Sequence, residues 1–206
     1  LLSLVPERIW LETEKTLKHS RFDQYFKTLI QINALNQIYP DLAGLKKDFF
    51  SNIIFQQASQ EEVSTKYRFA SIFYVLLKEG NINIKNIIES MQKSMNFPNS
   101  FKEIPLLLNN TFSLIDRDIS EFSAEHILII IEKLNALKKP KNIDMVFRLI
   151  CMDLDKDFND KKEILEKSLA SALTIQINNI KEEGLHGSAI GEKLRELRLN
   201  KIQETL

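Results

Sequence analysis

Residues 1–42 read LLSLVPERIWLETEKTLKHSRFDQYFKTLIQINALNQIYPDL, and their periodicity decides the fold class. Pro6 suits the first turn of a helix, where a missing N–H removes no bond, and Glu7 complements the positive end of the helix dipole. Ile9, Trp10, Thr13 and Leu17 recur at helical spacing. After a break near His19 and Ser20, Phe22, Tyr25, Phe26, Leu29 and Ile30 follow the i, i+3, i+4, i+7, i+8 pattern of one wide apolar stripe. The run stops at Tyr39-Pro40-Asp41, because a residue before proline is pushed out of the helical region. Two consecutive amphipathic helices predict a packed hairpin, with Trp10 and Phe26 as core residues and not base-stacking platforms.

Working outward, the same period continues. Phe49, Phe50, Ile53, Ile54 and Phe55 lie in a loosely patterned segment. Tyr67 to Leu77 is apolar on most sides, which predicts a helix in the middle of a core, ended by Gly80 at a C′ position. Further helices are expected over Ile84 to Met95 and Ile104 to Leu114. Ser123 should cap a helix with Glu125 in its first turn, and Ile143, Val146, Phe147, Ile150 and Leu154 should form the core face of the next. A long helix is expected from Lys162 to Glu183, with Leu165, Leu169, Leu173 and Ile180 inward. After a turn at Gly184 to Ser188, Ser188 can cap a last helix with Ile190, Leu194 and Leu197 facing in. The expectation is an all-α protein.

Composition sets further bounds. A chain of 206 residues can bury one sizeable core or two small ones. Lys+Arg and Asp+Glu both total 28, so a wholly basic nucleic-acid binder is excluded but a local basic patch is not. The single cysteine, Cys151, excludes an internal disulfide and suits a reducing cytoplasm, and the apolar run Ile127 to Ile131 is far too short to span a membrane. The chain starts abruptly at a helix entry without methionine, which suggests a fragment of a longer protein.

One family resemblance runs thinly along the whole chain. Pro6-Glu7-Arg8-Ile9-Trp10 with Glu12, Glu14 and Lys15, then Phe26, Ala34-Leu35 and Tyr39-Pro40-Asp41-Leu42, resembles the neck of bacterial class II CCA-adding tRNA nucleotidyltransferases. The likeness continues through Val63 to Ala70, Phe97-Pro98-Asn99, Leu137 to Pro140 and Gly184 to Leu197. It implies a neck hairpin over residues 1–42, a degenerate HD-like helical body over 43–160 and a helical tail over 161–206. It also implies a parent enzyme that adds C, C and A to the tRNA 3′ end from CTP and ATP with Mg2+, through a catalytic head not in this sequence. By the same resemblance Arg8 and Glu12 buttress the nucleotide-templating helix. Val5 departs from the pattern, where relatives often carry a capping Ser or Thr; an uncapped start costs about 1 kcal/mol. The neck stretch also reads as an ordinary helix with a Glu14–Lys18 pair on its solvated face.

Some relatives carry an HD phosphohydrolase, with a His-Asp pair in a helix resembling Arg68 to Lys78; here Tyr74 and Val75 stand at those two positions. Neither supplies an imidazole or carboxylate ligand. His19, His126 and His186 are widely separated and read as surface or capping residues. Cys151 reads as a small hydrophobe on the apolar side of its helix, and Asp153 to Lys162 as a solvated loop without the glycine of a calcium site. No catalytic or metal-binding residue is assigned.

The remaining signal is basic. Lys193, Arg195, Arg198 and Lys201 cluster on the last helix, and Lys138, Lys139 and Lys141 form a second group. A solvated charged face would look the same. The resemblance of Gly184 to Ile202 to the family's tail favours contact with tRNA phosphates, which position without reading sequence. Two alternatives stand beside this reading: an HD-derived helical protein-interaction module, and the equivalent part of a bacterial poly(A) polymerase. With Tyr74 and Val75 in place of His-Asp, the chain should hydrolyse neither 2′,3′-cyclic phosphates nor 2′-nucleotides in the presence of nickel, manganese or magnesium. Turnover that is lost on chelation would overturn that expectation.

Overall fold

The computed structural model describes residues 5–60, 62–80, 83–154, 158–175 and 187–206. Their regular structure is helical, with no strand among the described residues, as the periodicity predicts. Two compact units form: Leu1–Asn109 with Arg148–Lys156, and Asn110–Phe147 with Asp157–Leu206. Residues 1–42 lie in the first and 161–206 in the second, while residues 43–160 contribute to both.

The first unit opens with α1 (Pro6–Leu17) and α2 (Phe22–Gln31), followed by the single turn α3 (Leu35–Ile38). Val5 starts α1 without a side-chain cap, as its sequence implies. Trp10, Thr13 and Leu17 of α1 and Phe22, Phe26 and Leu29 of α2 are buried. The ion pair on α1 joins Lys15 to Glu12 at 2.9 Å, not Lys18 to Glu14. Next come α4 (Ile53–Ala58), α5 (Thr65–Glu79) and α6 (Ile84–Met95). Every residue of α5 from Arg68 to Leu76 is buried, as expected for a helix apolar on most sides. Gly80 ends it at φ 95°, a conformation that only glycine adopts without strain.

Aromatic rings fill this unit in two groups. Trp10 meets Phe69, Phe97 and Phe101 at centroid distances of 5.8, 5.2 and 4.7 Å. Phe26 stacks on Phe50 at 5.0 Å and leans on Tyr39, and Phe55 joins Phe22, Phe49 and Phe50. Such offset and edge contacts add about 0.5–1.5 kcal/mol per pair beyond area burial. Trp10 and Phe26 are thus core residues, exposed by 5% and 1%.

Polar groups are buried with partners. The Thr13 hydroxyl donates to the Ile9 carbonyl at 2.7 Å, so the Tyr39 phenol, 2.6 Å away, donates to Thr13 Oγ1. Asp153 is a correction to the solvated-loop reading: it is 1% exposed, accepting from Tyr74 Oη and Lys78 Nζ, each at 2.6 Å. Tyr74 and Lys78 lie one turn apart on α5, so both reach the same carboxylate. Asp155, Lys156 and Asp157 lie outside the described residues.

The helix α7 (Glu103–Ile115) leads into the second unit, which contains α8 (Ala124–Lys133) and receives α9 (Lys141–Ile150) as far as Phe147. It is completed by α10 (Asn159–Leu173) and α11 (Ser188–Gln203). Ser123 caps α8 by accepting from the His126 amide, as expected. His126 itself is a correction: it is 8% exposed, and its Nε2 donates to the Leu114 carbonyl at 3.0 Å. Three further expectations shift. Leu154 is exposed because α9 ends at Ile150, and Leu173 is exposed because it is the last residue of α10. Gly187, at φ 60°, is the N-cap of α11, which puts Ser188 inside the helix. Ile180, His186 and the rest of residues 176–186 lie outside the described residues.

Burial pushes the Tyr39 phenol well above its ordinary value, and neighbouring Tyr25 adds to the effect. The folded state therefore holds this proton more tightly than the unfolded chain does. Its stabilisation is fully present below pH ~10 and is lost as pH rises through the folded value. Tyr39→Phe should cost about 1 kcal/mol at neutral pH through the lost hydrogen bond. Its urea midpoint should then fall less steeply than that of the parent above pH ~10. Equal alkaline slopes in the two proteins would place the sensitivity elsewhere.

Candidate functional site

Of the four cations singled out on α11, Arg195 is the most engaged. Its Nη2 lies 2.6 Å from Glu125 Oε1 and its Nε 3.0 Å from Glu132 Oε1. The two acids are seven residues apart, two turns of α8, so they form one column that the guanidinium bridges. The hydrogen bond to Glu125 is the main cause that raises the Arg195 pKa, with Glu132 contributing. Arg195 therefore holds α11 to α8.

Lys193 and Lys201 are paired within the helix, to Glu196 at 3.0 Å and Glu204 at 2.6 Å. Exposed pairs of this spacing contribute only tenths of a kcal/mol, so either lysine can leave its partner for a phosphate. Arg198 differs: among the described residues it has no acid partner, and its buried Nε has no hydrogen-bond partner. Half-exposed on α11, it is the cation of this group that a phosphate would engage without breaking an ion pair.

Lys138 and Lys139 stand exposed on the connection between α8 and α9, and Lys141 stands exposed as the first residue of α9. That connection is held by a set of hydrogen bonds to the backbone. Asn135 takes the left-handed conformation at φ 52°, with Ala136 N–H bonded to the Ile131 carbonyl, the motif that closes a helix C-terminus. Lys138 and Lys139 N–H groups both donate to the Asn135 carbonyl, and the buried Asn142 amide donates to the Leu134 carbonyl at 2.7 Å. Among the described residues Lys138 and Lys141 carry no ion pair.

In the first unit, Arg8 is exposed without an ion pair to any described residue, and the Glu12 carboxylate pairs with Lys15 while its backbone carbonyl accepts from the Thr16 hydroxyl. Val5 and Leu11, 57% and 54% exposed, lie on the same helix or its cap. Sequence reasoning missed Lys161, whose Nζ donates to the carbonyls of Ile115, the last residue of α7, and of Arg117 just past it, and lies 5.2 Å from the Phe158 ring centroid. It also missed Arg68; the signal was a cation inside an otherwise apolar helix. Among the described residues no three His, Cys, Asp or Glu side chains converge to hold a metal, and no helix is long and apolar enough to cross a membrane.

These features define an all-helical segment whose exposed cations stand on α11 and around the start of α9. In sequence the chain matches the C-terminal part of the CCA-adding enzymes from end to end. It is 28% identical to the CCA-adding enzyme of Buchnera aphidicola subsp. Schizaphis graminum over 98% of its length. It is 24% identical to the multifunctional CCA protein of Aliivibrio salmonicida over 100%, and 24% identical to the CCA-adding enzyme of Pseudomonas entomophila over 98%. The chain spans about half the length of these curated relatives, 54–58%. No family model matches it, and neither does any solved structure.

Arg195→Met should lower stability by about 1 kcal/mol, since a half-exposed pair with two carboxylates lies at the upper end of surface ion pairs. Lys193→Gln and Lys201→Gln should stay within about 0.5 kcal/mol of the parent. Urea midpoints of the three variants check this ordering, and an Arg195 variant as stable as the parent would dismiss the bridging role.

Proposed function

We propose that this chain is the tRNA-holding part of a CCA-adding nucleotidyltransferase and works beside a catalytic head outside this sequence. The observation that carries the reading is the collinear likeness to CCA-adding enzymes over 94–100% of the chain. In such a protein the transfer of C, C and A from CTP and ATP would use Mg2+ held by paired carboxylates. The described residues offer no converging acid cluster to hold that ion, so no step of the transfer is routed through them. Their part is positioning. Arg198, Lys138, Lys139 and Lys141 would take backbone phosphates, with Lys193 and Lys201 joining by exchanging a weak intrahelical pair. Arg195 would act at one remove, by keeping α11 on α8. Arg8 and Glu12, exposed beside Val5 and Leu11, would buttress the head.

Incubated with tRNA lacking its CCA, CTP, ATP and magnesium, the chain alone should bind RNA but incorporate no nucleotide. Each phosphate contact removed should flatten the log-affinity versus log-salt slope by about 0.7–0.9, so Lys138→Gln with Lys141→Gln should flatten it by roughly 1.5. Nucleotide incorporation by the chain alone would place the chemistry here. An unchanged slope would make the loop a solvated surface.

A further inference from the structure

A second cationic feature lies in the first unit, away from the residues assigned above. A cleft of about 490 Å³ is lined by Lys18, His19 and Ser20, which follow α1, and by Val63, Ser64, Thr65 and Arg68 at the start of α5. Three of its seven lining side chains are basic and three bear hydroxyls. None of the seven is acidic, and Glu62, beside Val63 in sequence, is exposed and not part of the lining.

The charge in the wall is unusual. Arg68 is 3% exposed and is bound only by carbonyls: Nη1 to Leu17 at 2.9 Å, Nε to Ala58 at 2.9 Å, and Nη2 to Ser59 at 3.5 Å and Gln60 at 2.8 Å. Carbonyl dipoles satisfy its hydrogen bonds but do not cancel its unit charge, which no carboxylate among the described residues approaches. Lys18 is exposed and has no ion pair among the described residues, and the Ser64 hydroxyl makes no cap hydrogen bond although Ser64 is the N-cap of α5. These cations and hydroxyls converge on open volume in a chain whose net charge is zero.

The arrangement is also rigid. The bond from Arg68 to the Leu17 carbonyl fixes the end of α1 against α5, and the Lys18 and His19 amides donate to the Lys15 and Thr16 carbonyls. Lys18, His19 and Ser20 are thereby set opposite Ser64 and Thr65 before any ligand arrives, which lowers the ordering cost of binding.

We propose that this cleft is a phosphate-binding site that takes one backbone phosphodiester of the RNA. Lys18 supplies the mobile charge, Arg68 the fixed charge, and His19, Ser20, Ser64 and Thr65 the hydrogen bonds. The proposal rests on the RNA-holding reading and adds a contact in the first unit to those of the second.

The test uses the full chain with two probes, inorganic phosphate and tRNA. Inorganic phosphate should shift the ring resonances of His19 saturably, identified by their absence in His19→Gln, and the shift should be lost in Lys18→Gln. In tRNA binding, Lys18→Gln should flatten the log-affinity versus log-salt slope by about 0.7–0.9, the loss of one phosphate contact, with the urea midpoint unchanged. Lys93→Gln, which removes an exposed charge from α6 outside the cleft, should flatten it far less. If tRNA binds but Lys18→Gln leaves the slope unchanged, the cleft proposal falls and the RNA-holding reading stands. If tRNA does not bind while phosphate still shifts His19, the RNA assignment and the RNA-holding reading fall together. A phosphate titration without saturation overturns the site altogether.

Discussion

The first unit depends on a buried guanidinium held by four backbone carbonyls, with no carboxylate beside it among the described residues. Arg68 opens the continuous buried run of α5, Arg68 to Leu76, and directs its donors to the carbonyls of Leu17, Ala58, Ser59 and Gln60. Those carbonyls sit at the ends of α1 and α4, where a helix leaves its last C=O groups without intrahelical partners. One side chain therefore satisfies two helix ends and fixes both to α5. Burial pulls its pKa down from the ordinary arginine value. Arginine remains charged under any physiological condition, so the protein keeps a permanent positive charge inside this wall.

The second unit solves the same problem with different groups. Lys161 donates to the Ile115 and Arg117 carbonyls at and just past the end of α7, while Arg195 reaches two carboxylates on α8. Cations that look equivalent in sequence thus divide into two kinds. Arg68, Lys161 and Arg195 are committed to holding helices together, whereas Lys138, Lys141 and Arg198 carry no acid partner among the described residues. A zero net charge conceals this division, because Coulomb attraction acts locally and is screened within about a nanometre at physiological salt.

At Tyr74, the first of the two positions where the family resemblance places a His-Asp pair, the chain has built a structural cluster with Lys78 and Asp153. Tyr74 and Lys78 both hold the buried carboxylate of Asp153. Removing one partner of such a group leaves a charge or dipole uncompensated in low dielectric, which typically costs several kcal/mol. The buried carboxylate is thus engaged in holding the end of α9 to α5.

The helical class, the hairpin and the central position of α5 were legible in the sequence because each is a matter of local period. Trp10, Thr13, Leu17, Phe22, Phe26 and Leu29 recur at the spacing of one helix face, and that face is the one buried. Gly80 and Ser123 announced their helix ends for the same reason, since caps are chosen by backbone conformation within a few residues. What the sequence could not hold is the partner of a polar side chain across the fold. Asp153 read as a loop acid and is buried against Tyr74, 79 residues away; His126 read as a surface residue and bonds the Leu114 carbonyl. Arg195 read as one of four similar cations until α8 brought Glu125 and Glu132 to it. Period and capping are properties of neighbours along the chain, so the sequence determines them. The pairing of charges depends on which helix faces meet in space, and only the tertiary structure decides that.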